Sequence, residues 1–107
     1  MNPGVALPPA WAVLAGALAD RRPIRARYRG TDRVLFPHAL GWKHGRPKVL
    51  AYQSGGTSEA EAPDQRWRSM FIDEIDVAVI AEGPWQSSHN YSSRSNCFDL
   101  VEVAIPY

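Results

Sequence analysis

Cysteine occurs once in the 107 residues, at Cys97, which excludes an intramolecular disulfide framework and a multi-cysteine zinc site. That usage fits a reducing compartment, so the expected location is cytoplasmic. Long apolar runs are missing as well. The opening MNPGVALPPAWAVLAGALADRR lacks a basic start and falls short of the roughly 20 residues a membrane span needs. Acids are scarce in the first half: only Asp20 and Asp32 lie between Met1 and Gln53, against nine cations from Arg21 to Lys48. The second half carries the other nine acids beside Arg66, Arg68 and Arg94, so a net charge of +1 conceals a strong charge asymmetry. Catalytic and metal motifs are absent. His38, His44 and His89 have no metal-like spacing, and SGGTS (Ser54 to Ser58) lacks the lysine and following helix of a phosphate loop. No Ser/His/Asp or paired-carboxylate pattern is legible, and Asp73-Glu74 read as turn chemistry. No cofactor, metal site or enzymatic activity is expected.

What is present is an ordinary globular composition, 45% hydrophobic and 21% charged, in a length that holds one domain and one core. Trp11, Leu14, Ala15 and Leu18 recur at the spacing of one helical face, predicting a helix over 9–20 that Pro8 and Pro9 open and Arg21, Arg22 and Pro23 close. In IRARY the period becomes two: Ile24, Ala26 and Tyr28 alternate with Arg25 and Arg27, the pattern of a half-buried strand. A turn at Arg29 to Asp32 leads into a second strand, Arg33 to Trp42, with Val34, Phe36, His38, Leu40 and Trp42 expected on one side and Pro37 marking an edge or a bulge. Lys43-His44-Gly45-Arg46 turns into a third strand over 48–53. The stretch Ser54 to Asp64, small, acidic and interrupted by glycine and proline, reads as a mobile surface loop. RWRSMFID and IDVAVIA give a fourth and a fifth strand, and CFDLVEVAIPY a sixth. The polar GPWQSSHNYSSRSN before it reads either as a segment that crosses the barrel, pinned by Trp85 and Tyr91, or as disordered chain. One helix followed by five or six short strands is the order of a small, strongly bent antiparallel barrel: a mainly β single domain over 1–107, with barrel strands over 23–80 and a crossing segment plus last strand over 83–106.

The residues Leu18, Arg22-Pro-Ile-Arg-Ala-Arg-Tyr28, Arg33-Val-Leu-Phe-Pro37-His, Leu50-Ala-Tyr52 and Trp67-Arg68-Ser-Met-Phe-Ile72-Asp-Glu-Ile75 stand in an order that resembles the WYL domain. The likeness runs from about Leu14 to Ile80. It implies an Sm-like or SH3-like barrel, and a ligand-sensing role in bacterial transcription regulation or phage defence, with nucleic acid or nucleotide-like ligands in a basic groove. The tripeptide that names the family falls on Lys48-Val49-Leu50, so only its leucine is kept. Arg33, Pro37 and Arg68 match family positions, whereas Phe71 and Glu74 stand where two further arginines are usual.

Arginine suits planar, bidentate recognition of phosphate, and Arg25, Arg27, Arg33, Arg68 and Lys48 could present a row of donors, with His38 beside them. Tyr28, Trp42, Tyr52 and Trp67 are the aromatics on which bases could stack. The same cations would equally serve as the solvated face of a half-polar barrel paired with Asp73, Glu74 or Glu102, and the same aromatics as core. The expected function is a non-catalytic module that binds a nucleotide or short single-stranded nucleic acid and reports to a regulator or defence protein. The alternative is a protein-interaction or homodimerisation module acting through exposed strand edges or through Trp11 and Trp85. A membrane partner is not expected.

Overall fold

The computed structural model describes residues 7–54, 61, 65–91 and 96–106. Apart from Ser54 and Glu61, the acidic loop expected between the third and fourth strands lies outside the described residues, as do 92–95 of the polar segment.

The first element, α1, is the helix Pro9–Asp20. Proline at the first helical position has no N–H to leave unsatisfied, and Arg21 at the other end adopts the left-handed conformation (φ 54°). That bend lets the Arg22 N–H donate to the Ala17 carbonyl at 2.9 Å, and Pro23 bars further helix. Ala10, Leu14, Ala17 and Leu18 form the buried stripe, while Trp11 and Ala15 are only half-buried at its margin.

Six strands follow: β1 (Ile24–Tyr28), β2 (Thr31–Lys43), β3 (Arg46–Ser54), β4 (Trp67–Phe71), β5 (Ile75–Ile80) and β6 (Leu100–Ala104). The two hairpins β1–β2 and β2–β3 close through Arg29-Gly30 and His44-Gly45. All four of these residues have positive φ, the two-residue geometry whose twist matches that of paired strands. Sheet order is β4-β3-β2-β1-β5, all antiparallel. The edge strands β4 and β5 are consecutive in the chain and are joined only by the 3-10 turn Ile72–Glu74. A three-residue link between opposite edges obliges the sheet to curl into a small barrel-like form. β6 pairs with Ala39 to Trp42 of β2, beyond the point where β1 ends.

The main core lies between the concave face of the sheet and α1: Leu14, Leu18, Ile24, Leu35, Leu40, Val49, Met70 and Ile72 are almost fully buried there. Each is worth roughly 1.5–3 kcal/mol of transfer free energy.

A bulge between Pro37 and Ala39 corrects the strict alternation expected for β2. His38 is the extra residue. Before it Phe36 faces away from α1; after it the parity flips, so Leu40 and Trp42 turn toward the helix side, where Leu40 joins the core and Trp42 stacks on Trp11. Phe36 and His38 face the convex side with Tyr52 and Trp67, and the segment after β5 crosses over them. The small domain therefore has a second, aromatic core on the other face of its sheet.

Candidate functional site

The predicted row of cations divides between the two faces of the sheet. Arg25 and Arg27 stand exposed on the convex face of β1, because Ile24, Ala26 and Tyr28 take the core side. Arg27 donates from Nε to Asp32 Oδ1 at 3.1 Å, a bond that raises its pKa. Arg33 lies opposite Ala26 in the β1–β2 register and so belongs to the other face. Its Nη1 donates to Gln53 Oε1 at 3.3 Å, and its guanidinium carbon sits 5.2 Å from the Tyr28 ring centroid. Its Nε is buried and has no hydrogen-bond partner among the described residues. Arg68 shares that face by register, opposite Ala51; it is ion-paired with Glu61 and donates to the Gln65 and Trp67 carbonyls. Lys48, on the convex side with Phe71, has its Nζ 5.0 Å from that ring.

The structure brings Arg33 and Arg68 to one face around Gln53 and leaves Arg25, Arg27 and Lys48 on the other. Carboxylates take up much of the remaining charge. Arg46, lying 3.7 Å over Phe71, holds Asp73 with two hydrogen bonds of 2.8 and 3.2 Å, which raise its pKa, and Arg29 makes a forked contact with Glu74. Asp73 and Glu74, two of the acids considered for Arg25, Arg27, Arg33 and Arg68, thus serve Arg46 and Arg29. The third, Glu102, accepts from Trp42 Nε1 at 3.0 Å.

Each candidate stacking ring is engaged within the fold. Arg29 and Arg33 both lie 5.2 Å from the Tyr28 centroid. Trp42 lies 5.6 Å from Trp11, Tyr52 lies 5.3 Å from Trp67, and Trp67 lies 5.5 Å from Tyr91.

His38 is 1% exposed and sits at the centre of the aromatic core, its ring 4.7–4.9 Å from Trp67, Trp85 and Tyr91. The carbonyl of Phe36, 2.6 Å from Nδ1, can only accept, so Nδ1 carries the hydrogen and Nε2 accepts from the Ser87 hydroxyl at 2.8 Å. Burial pushes its pKa from 6.5 down to about 4, against the opposing effect of the Phe36 carbonyl and with a smaller push from Arg21. A neutral, fully engaged imidazole fastens the crossing segment to the sheet. Tyr91 completes the clasp, its hydroxyl lying 3.1 Å from the carbonyl oxygen of His38 and 2.7 Å from that of Ile105.

Two contributors escape a reading of the sequence. Gln53, buried at 4% exposure, holds Arg33, and its only signal is a polar residue directly after the apolar run Val49 to Tyr52. Ser87 has no signal, being one of several serines in a polar tract. Among the described residues no cluster of His, Cys, Asp and Glu could hold a metal, and no helix is long and apolar enough to cross a membrane. Compared with known proteins, the chain matches no family model, no curated protein and no solved structure.

Proposed function

We propose that this protein is a non-catalytic sensing module that binds a compact anionic ligand, a nucleotide or the end of a short single strand, at Arg33. The observation that carries the reading is the buried Arg33 Nε, with no acceptor among the described residues, on a guanidinium positioned by Gln53 and Tyr28. A buried unpaired donor costs about 1–3 kcal/mol, and an anion reaching it would recover that cost through a charge-assisted bond. Arg68 on the same face is the natural second contact once Glu61 releases it. The WYL-like order of residues, in which Arg33 and Arg68 occupy family positions, supports the same site and a setting in bacterial transcription regulation or phage defence, in the cytoplasm. A long nucleic-acid track is less favoured, because Arg25 and Arg27 face the other way.

The test is fluorescence-anisotropy titration with labelled single-stranded DNA and RNA and with nucleotides, at low and physiological salt. The expected result is saturable, salt-sensitive binding lost in Arg33→Gln and retained in Arg25→Gln. No saturable binding of any anion at low salt, or equal loss in both variants, refutes the reading.

Self-association is the second reading. It is favoured by β6, which among the described residues pairs on one side only and leaves Leu100, Val101 and Val103 38–53% exposed. A mass that doubles with concentration in size-exclusion light scattering, and returns to monomer in Val101→Lys, would establish it.

A further inference from the structure

The convex face of β1 and β5 is distinct from both of these surfaces. β5 ends the path of the sheet, so among the described residues its outer backbone edge has no strand beside it. Its outward side chains are aliphatic and open to solvent, Val77 at 52% and Val79 at 51%. The register sets Arg27 against Val77 and Arg25 against Val79, so cations and valines alternate across the pair. Of the two cations, Arg27 is neutralised by Asp32. Arg25 makes no ion pair or hydrogen bond to any described residue, although a chain with nine acids in its second half could have supplied one.

Arg25 also divides the face. On one side lies an open depression of about 320 Å³ between Arg27, Asp32, Val77 and Val79; on the other lies one of about 300 Å³ bounded by Val79, Ile80 and Glu82. The internal acids, Asp32 and Glu82, stand at the outer ends and the free positive charge at the centre. Side chains two apart on a strand share a face at roughly 6.5–7 Å spacing. A strand laid along β5 could therefore seat an aliphatic side chain in each depression and a carboxylate between them at Arg25.

We infer that this face docks an extended, aliphatic and acidic segment of a partner protein by adding it as a strand to β5. Backbone pairing would supply affinity, and the Arg25 carboxylate contact would fix register. A second copy fits less well: its β5 would bring Val77 and Val79 to this face, and its β6, although aliphatic, has its one acid, Glu102, accepting from Trp42 Nε1 at 3.0 Å. A single-stranded nucleic acid would find aliphatic side chains where its bases need aromatic ones.

The probe is a labelled synthetic peptide with valine, glutamate and valine at every second position and serine between them, so that all three share one face, with a scrambled control, titrated into the full chain and followed by anisotropy and by NMR shifts of assigned amides. The expected result is saturable binding with shifts along Ile75 to Ile80, weakened about tenfold or more by Arg25→Glu and restored in that variant by a valine/lysine peptide. The exposed Arg25 can be reversed without touching the core, and the restored binding demonstrates that the variant is folded. Shifts absent from β5, binding unchanged in Arg25→Glu, displacement by single-stranded DNA, or a β5-mediated dimer would each overturn the proposal.

Discussion

Burial of His38 makes the stability of this protein depend on pH in a window set by one side chain. Unfolded, the imidazole titrates near 6.5; folded, it stays neutral down to about 4. Above the upper value both states are neutral and pH has no effect through this group. As pH falls from 6.5 toward 4 the unfolded chain takes up a proton that the folded chain refuses, so stability drops. Below 4 both are charged and the loss is complete, at about 3 kcal/mol. Between about pH 7.5 and about pH 5 the same relation gives about 2 kcal/mol, a large share of the roughly 5–15 kcal/mol by which small domains are stable.

The assay is urea unfolding read by tryptophan fluorescence, since Trp67 and Trp85 flank the ring. The midpoint should fall by on the order of 1 M over that interval. Measurements stay above about pH 4.5, because Asp99 introduces a second, more acidic dependence. Its carboxyl is held below its ordinary pKa by the His44 backbone N–H and by Lys43, so what it contributes is present above the unfolded value and lost below it. His38→Gln, which keeps a donor and an acceptor, should be less stable than the parent near neutrality and have a flatter profile. Parallel profiles for parent and variant would refute the assignment, as would a parent whose midpoint is unchanged between the two pH values.

Three further outcomes follow from the packing. Gly41→Ala would place a Cβ inside contact distance of the Leu100 carbonyl oxygen and 2.8 Å from Phe98 Cδ1, so β6 should be displaced at a cost of about 1–3 kcal/mol, seen as faster hydrogen exchange at its amides. Tyr91→Phe removes the hydroxyl that bridges the His38 and Ile105 carbonyls and should cost about 1–2 kcal/mol in urea unfolding, with β6 and the crossing segment loosened together. Leu14→Ala empties the centre of the interface between α1 and the sheet; a loss of about 2–5 kcal/mol in thermal unfolding is expected, and a loss below about 1 kcal/mol would contradict the core described above.

The elements were legible because each has a local cause. Proline pair, apolar stripe and terminal cations define α1; glycine within Arg29 to Asp32 and within Lys43 to Arg46 marks both turns, the first closing earlier than expected so that β2 begins at Thr31; IRARY alternates without exception. What the sequence hid is the consequence of one inserted residue. Alternation across Phe36, His38, Leu40 and Trp42 is perfect on paper, and only the pairing partner shows that Pro37 faces Ala51 while Ala39 faces Leu50. A period-two reading carries no record of a bulge, so it placed on one side four residues that the fold divides between two cores. The cations were misjudged for a related reason. Arg33 and Arg27 are both at odd positions on neighbouring strands, but the hairpin register pairs Arg33 with Ala26 and Arg27 with Asp32, which puts the two arginines on opposite faces.

The bulge also explains where function has room to sit. Turning His38 and Phe36 outward would expose a large aromatic surface on a domain too small to leave one bare, and the crossing segment covers it with Trp85 and Tyr91. With α1 on the concave face and this cover on the convex one, the middle of the sheet is closed on both sides. Besides the β6 edge, two margins stay open among the described residues: the end where Arg33 reaches past Tyr28, and the β1–β5 strip where Arg25 stands among valines. They differ in chemistry. The first offers a buried donor to a small anion, the second a strand edge and one cation to an extended chain, so Arg33→Gln and Arg25→Glu should abolish different interactions and leave each other's intact.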